Sequence, residues 1–245
     1  MSEQTIALVT GANKGVGLAT VRQLAERGMT VLLGSRSTER GVRAVADLAS
    51  DGVVVQHVPL DVTDDASVDA AAESIHRDHG RLDVLVNNAG VLVRRPAVEV
   101  TADDLRLEFE TNVFGLVRVV HAMLPLLRRS PAARVVNVSS DSSTFTNSSR
   151  AGSMFARSHE SFAYSATKAA VNMLTVKYAN AFRDDPALAH ILVNAVTPGY
   201  VATDLNDFRG TRTPEEGARA AVHWATVGPD GPTGGLYDED GPVPW

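Results

Sequence analysis

The 245-residue chain contains no cysteine, which excludes disulfides, thiolate nucleophiles and cysteine-ligated zinc. Lysine is almost as scarce. Of 23 basic residues only Lys14, Lys168 and Lys177 are lysines, the rest being arginine, so each marks a position where a guanidinium need not serve. No stretch reaches the roughly 18 unbroken apolar residues that a membrane helix needs, and the opening MSEQTIALVTGANKG lacks a basic segment followed by an apolar run. The expectation is a cytoplasmic protein without a membrane partner. A net charge of −6 argues against a nucleic-acid surface, which requires clustered basic residues. Seven histidines offer only the pair His76 and His79 at i, i+3, so no metal site is expected.

What is present is an alternation of short β-branched runs with helix-length amphipathic stretches, the pattern of a parallel sheet with crossover helices. Strands are expected at 5–10, 30–34, 53–60, 84–87, 134–139 and 191–196. Helices are expected at 15–27, 40–49, 66–79, 103–129 and 162–182, with Pro125 ending or kinking the fourth. Thr213-Pro-Glu-Glu opens a last helix with Thr as N-cap and Glu216 three residues on. Right-handed crossovers leave a doubly wound α/β (Rossmann) parallel sheet, flanked by helices on both faces, as the economical topology. No linker or repeat divides the chain, so residues 1–245 read as one domain. The Ser-rich segment 139–153 reads either as a surface loop or, lying close to the candidate catalytic residues, as part of the site.

The first strand runs into Thr10-Gly11-Ala12-Asn13-Lys14-Gly15-Val16-Gly17 at the start of a helix. Glycines there let the backbone approach a pyrophosphate, and the helix N-terminus offers free N–H donors. The spacing is G-x-x-x-G-x-G, neither the G-x-G-x-x-G fingerprint nor a Walker A loop. At the end of the second strand stands Gly34-Ser35-Arg36-Ser37, with no acid at the corner where a carboxylate would meet a ribose 2′-hydroxyl. Arg36, with Lys14 in the glycine turn, points to a 2′-phosphate and hence to NADP(H) over NAD(H).

Tyr164-Ser-Ala-Thr-Lys168 lies on a long helix, where i, i+4 spacing puts phenol and ammonium on one face. A free phenol with a pKa of about 10 is a poor acid or base at neutrality. A nearby cation lowers that value, which suits a general acid/base.

Together TGANKGVG (10–17), LDV (60–62), NNAG (87–90), Asn112 in ETNVFG, VNVSS (136–140), YSATK (164–168) and PGYVATDL (198–205) resemble the short-chain dehydrogenase/reductase family over essentially the whole chain. Within it, GANKGVG, LLGSRS, RLDVLVNNAG and the closing GGLYDEDGPVPW resemble the carbonyl-reductase-like branch. The resemblance implies an NADPH-dependent reductase of ketones, aldehydes or quinones, or the reverse alcohol oxidation. The reading from another class is a non-enzymatic NADP(H)-binding regulator on the same fold.

By the same resemblance Tyr164 protonates the developing alkoxide, Lys168 lowers its pKa and holds the nicotinamide ribose, and Ser140 polarises the carbonyl. Ser139 is the alternative, since neighbours on a strand face opposite ways. Asn112 positions a proton-relaying water. Gly11, Asn13, Lys14, Gly15, Val16 and Gly17 meet the pyrophosphate side, with Ser35 and Arg36 at the ribose corner. Asp61 and Val62 meet the adenine, and Asn88, Ala89 and Gly90 the adenosine side. Pro198, Gly199, Val201 and Thr203 meet the nicotinamide. The interval from Ser140 to Tyr164 is longer than in the commonest members, so about 141–160 is an inserted loop. A longer insertion accompanies monomers in the carbonyl-reductase-like branch, which makes a monomer the expectation over a homodimer or homotetramer. The short segment 205–213 implies a rather open site. Phe145, Met154, Phe155, Phe162 and Trp245 are available to an apolar pocket, or to ordinary loop packing.

Overall fold

The computed structural model describes residues 4–157 and 159–245. Its sheet has seven parallel strands: β1 (Ile6–Val9), β2 (Thr30–Ser35), β3 (Gln56–Pro59), β4 (Val84–Asn87), β5 (Arg134–Val138), β6 (Leu192–Val196) and β7 (Leu236–Tyr237), in the order β3-β2-β1-β4-β5-β6-β7. The third strand is shorter than the apolar pattern of 53–60 suggests. It is an edge strand, paired only with Leu32–Ser35, and Pro59 brings no N–H to a ladder. Strand β7 has no signal in sequence, being two residues long and held to β6 through Ala195 and Val196.

The helices cover both faces. Helices α1 (Gly15–Glu26), α2 (Thr38–Ser50) and α8 (Pro214–Ala225) belong to one layer, where Val21, Leu24, Leu48 and Trp224 are buried against β1, β2 and β4. Helices α3 (Asp65–His79), α5 (Gly115–Leu127) and α7 (Phe162–Asp184) cover the other, around Leu8, Leu85, Val119, Met123 and Val171. Strands buried on both faces are what their unbroken apolar runs require. Thr213 caps α8 with Glu216 in a reciprocal box.

The stretch expected as one helix over 103–129 is three pieces in line: α4 (Ala102–Phe109), a π-helical turn (Glu110–Phe114) and α5. The wide turn falls on Asn112, and π-turns concentrate where a helix serves a site. Pro125 lies inside the last turn of α5. Leu116 and Val120 are buried in the sheet-facing core, and Val113 is buried too. No helix among the described residues is long and apolar enough to cross a membrane.

Candidate active site

The order of the sheet reverses between β1 and β4, and a crevice forms at that point, outside the carboxyl ends of the strands. Here it is a cleft of about 290 Å³. Its floor is the glycine turn, where side chains are sterically excluded. A Cβ on Gly11, held at φ 62°, would stand 2.8 Å from Ala89 Cα, and one on Gly17 would stand 2.4 Å from Asn88 Nδ2. Asn88 explains the crowding, since its Nδ2 donates to the carbonyls of Thr10 and Gly11 and pins the turn to β4. Helix α1 begins at Gly15 without a side-chain cap, so its first N–H groups remain available to an anion.

Gly11, Asn13, Lys14, Gly15, Val16 and Gly17 all line this cleft, as do Asp61, Val62, Asn88, Ala89 and Gly90. Arg36 lines its outer end, 4.0 Å from Asp61 and largely exposed. Ser35 does not belong there. It is fully buried, with its hydroxyl between the Ser37 carbonyl and His57 Nε2, because the last residue of β2 points into the α2 layer. Lys14 also behaves differently from expectation: its ammonium pairs with Asp204 on the turn after β6.

Arg40, which the sequence reading passed over, lines the same outer end together with Ser37. Ser37 caps α2 by accepting the Arg40 N–H, so the first turn of the helix presents Arg40 beside Arg36. The Arg36/Arg40 spacing was the available signal.

At the inner end are Tyr164, Lys168, Pro198 and Thr203. Gly199 and Val201, expected at the nicotinamide, serve the loop itself. Gly199 (φ 73°) leaves room for the Arg212 side chain, and Val201 is buried against Gly217. The two serines at the end of β5 are distinguished by their partners. Ser139 is buried, 2.5 Å from Asn172 Oδ1 and 3.3 Å from the Lys168 carbonyl. Ser140 faces the other way, sharing a 3.0 Å bond with Ser142 and a hydrogen bond with the Tyr164 phenol. Asn112 is buried, and both its amide hydrogens are used, one on the Val91 carbonyl and one on Thr167. Behind the cleft, Asn112 and Lys168 share a cavity of about 10 Å³, room for one water.

The electrostatics depart from the simple Tyr–Lys reading. Lys168 is buried and donates to the Val138 carbonyl at 2.7 Å, with its Nζ 5.6 Å from the Tyr164 ring centroid. Burial pushes the Tyr164 phenol above its ordinary pKa, the Glu108 charge adds to this, and the Ser140 bond and the Asp141 charge act in opposite directions. Burial sets the sign, and the acidic neighbours add to it. Lys168 itself is lowered to about 8 by burial, against an upward push from Glu108. A phenol in this setting stays protonated at neutral pH.

The insertion is only partly applied to the helices. Residues 141–143 pack on α7, where Asn172 Nδ2 donates to Ser143. Beyond them α6 (Phe145–Ser149) leaves Phe145 exposed, and Met154 and Phe162 are exposed too. The insertion ends beside the loop after β4. Arg95 donates its N–H to the Glu160 carbonyl, and Arg94 lies between Glu160 and Asp207. The short 205–213 segment is thus tied to two neighbours, and Arg212 N–H turns back to the Tyr200 carbonyl.

The family profile for short chain dehydrogenases matches residues 5–213, and the chain belongs to that family. Among its relatives, carbonyl reductase [NADPH] 1 of Rattus norvegicus is 33% identical, with 100% of this chain and 99% of the relative covered. Short-chain dehydrogenase/reductase 1 of Saponaria officinalis is 32% identical over 100% and 97%. Among solved structures, the NADPH-bound carbonyl reductase from chicken fatty liver superposes with a TM-score of 0.85 at 25% identity, each chain covered completely.

Proposed function

We propose that this protein is an NADP(H)-dependent oxidoreductase that reduces a ketone, aldehyde or quinone carbonyl, with Tyr164 as the proton donor. The observation that carries this reading is Tyr164, hydrogen-bonded to Ser140, at one end of a cleft whose other end holds Arg36 and Arg40. The relatives named as NADPH carbonyl reductases support it.

The cleft fits the dinucleotide: bare glycine backbone and uncapped N–H donors suit the pyrophosphate, and two guanidiniums suit a 2′-phosphate. Bound NADPH supplies the hydride that arrives at the carbonyl carbon. Ser140 donates to the carbonyl oxygen, and Tyr164 delivers the proton as negative charge develops there. Lys168, anchored on Val138, holds a positive charge behind the phenol. Asn112 fixes the cavity that Lys168 shares, through Val91 and Thr167.

A panel of dicarbonyls, quinones, aromatic ketones and terpenoid or steroid ketones, followed by NADPH consumption, tests the activity. Tight NADPH binding with no turnover on any class would favour the non-enzymatic regulator. The chain works as a monomer in this proposal, because three of the four residues that could form a dimer stripe, Val113, Leu116 and Val120, are already covered and only Val117 is partly exposed. Light scattering at micromolar concentration is expected to give a mass near 26.0 kDa; twice or four times that value would overturn the monomer.

A further inference from the structure

Two asparagines stand among apolar residues on neighbouring strands, Asn87 at the end of β4 and Asn137 opposite it in β5. Leu85 and Val135, two residues earlier on each strand, belong to the same buried core as Val171 of α7. Alternation therefore turns both asparagines toward α7 as well. A buried amide that finds no partner there is costly.

The hydrogens fix which way each amide points. Thr175 of α7 gives its one hydroxyl hydrogen to the Val171 carbonyl at 2.9 Å, so toward Asn137 it can only accept. Asn137 Nδ2 donates to it at 2.9 Å. Asn137 Oδ1 is thereby turned to Asn87, whose Nδ2 donates to it at 2.9 Å. What remains of Asn87 is its Oδ1, an acceptor. Asn87 is 6% exposed, and this oxygen is buried with no partner among the described residues.

Asn87 lines the small cavity behind the cleft together with Asn112 and Lys168. At about 10 Å³ the cavity admits a single water, which lies against all three. A Cβ on Gly90 would stand 3.4 Å from Asn112 Oδ1 and 3.6 Å from Lys168 Nζ, so these two atoms are gathered around one point. The ammonium gives one hydrogen to the Val138 carbonyl and carries two more. Asn112 gives both amide hydrogens to Val91 and Thr167, and its Oδ1 keeps a lone pair beyond the one that takes the Val91 N–H. A water that accepts from Lys168 thus has two acceptors for its own hydrogens, Asn87 Oδ1 and Asn112 Oδ1. Three bonds are usual for a buried water.

We propose that Asn87 is a positioning residue for the proton donor: its Oδ1 holds a water against Lys168 Nζ, and the Asn137–Thr175 chain keeps that oxygen turned to the cavity. The water in turn keeps the ammonium in place behind the Tyr164 phenol. This rests on the reading of Tyr164 as proton donor with Lys168 as its cation.

A crystal structure of the unaltered protein with NADPH, at a resolution that shows ordered water, is expected to place a water within hydrogen-bond distance of both Asn87 Oδ1 and Lys168 Nζ. A structure without it overturns the proposal, and this readout stands even where a variant fails to fold. Asn87→Leu keeps the volume and removes the acceptor; it is expected to lower kcat for carbonyl reduction by about 10-fold. Asn87→Asp keeps an acceptor on the cavity side and is expected to recover most of that loss. A merely structural role would act through the adjoining Asn88–Gly90 backbone, which lines the cofactor cleft, and would weaken NADPH instead. Equal loss of kcat in both variants, or a loss confined to NADPH affinity, would reduce Asn87 to a prop of the sheet. If instead Tyr164→Phe reduces carbonyls at the normal rate, the proton-donor reading fails, while the crystal structure still decides the water.

Discussion

Tyr164→Phe is expected to lower turnover of any good carbonyl substrate by at least about 10²-fold, the scale of losing a general acid. The substitution removes one hydroxyl and keeps the ring near Lys168. Ser140 keeps its bond to Ser142, so no buried polar group is orphaned, and the melting temperature and NADPH affinity are expected to change little. The loss belongs to kcat, because the phenol matters most when charge develops on the carbonyl oxygen. Steady-state kinetics beside a fluorescence titration of NADPH separate the two effects. A near-normal kcat would remove Tyr164 from the mechanism.

Arg36→Asp is expected to weaken NADPH by about 10- to 10²-fold while leaving NADH nearly unchanged. A charge-assisted hydrogen bond is worth about 1.5–3 kcal/mol, which corresponds to that range in Kd, and the aspartate adds repulsion toward a 2′-phosphate. Arg36 is largely exposed, and its nearest acid, Asp61, lies at 4.0 Å, so breaking that weak pair costs the fold little. Arg40 lies along the same end of the cleft, and Arg36→Asp combined with Arg40→Ala is expected to erase the preference. Titrating both cofactors against each variant measures it. Equal losses for NADPH and NADH, or a wild-type preference for NADH, would contradict the assignment.

Much of the site was legible because it is built from short local patterns. The glycine turn must sit between a strand and a helix to bring backbone near phosphate, and Tyr164 and Lys168 are one helical turn apart on α7. Ser35 was misread for a reason of the same kind. Proximity along the chain put it beside Arg36, but alternation on a strand sends neighbours to opposite faces, and Ser35 went to His57. Lys14 was assigned to a phosphate from its place in the glycine turn; it does line the cleft, and its pairing with Asp204, remote in sequence, could not be read along the chain. Arg40 was missed because it entered only as the first residue of a helix, when the Ser37 cap lies at the end of α2 that lines the cleft.

The sequence by itself determined the alternation of strands and helices, the places where the backbone must come close to a ligand, and which side chains can carry protons. These depend on residue type and on spacing within a few positions, through hydrophobic period, capping and glycine's lack of a side chain. The tertiary structure decided the strand order, the two-residue β7, the π-turn at Asn112 and, above all, the sign of the electrostatics around Tyr164. Lys168, its neighbour on the helix, suggested a lowered phenol. Glu108 and Asp141 come from other elements, and burial exists only once those elements pack. A pKa is set by desolvation and by charges near in space, so neither its direction nor the acid that helps to set it could be read along the chain.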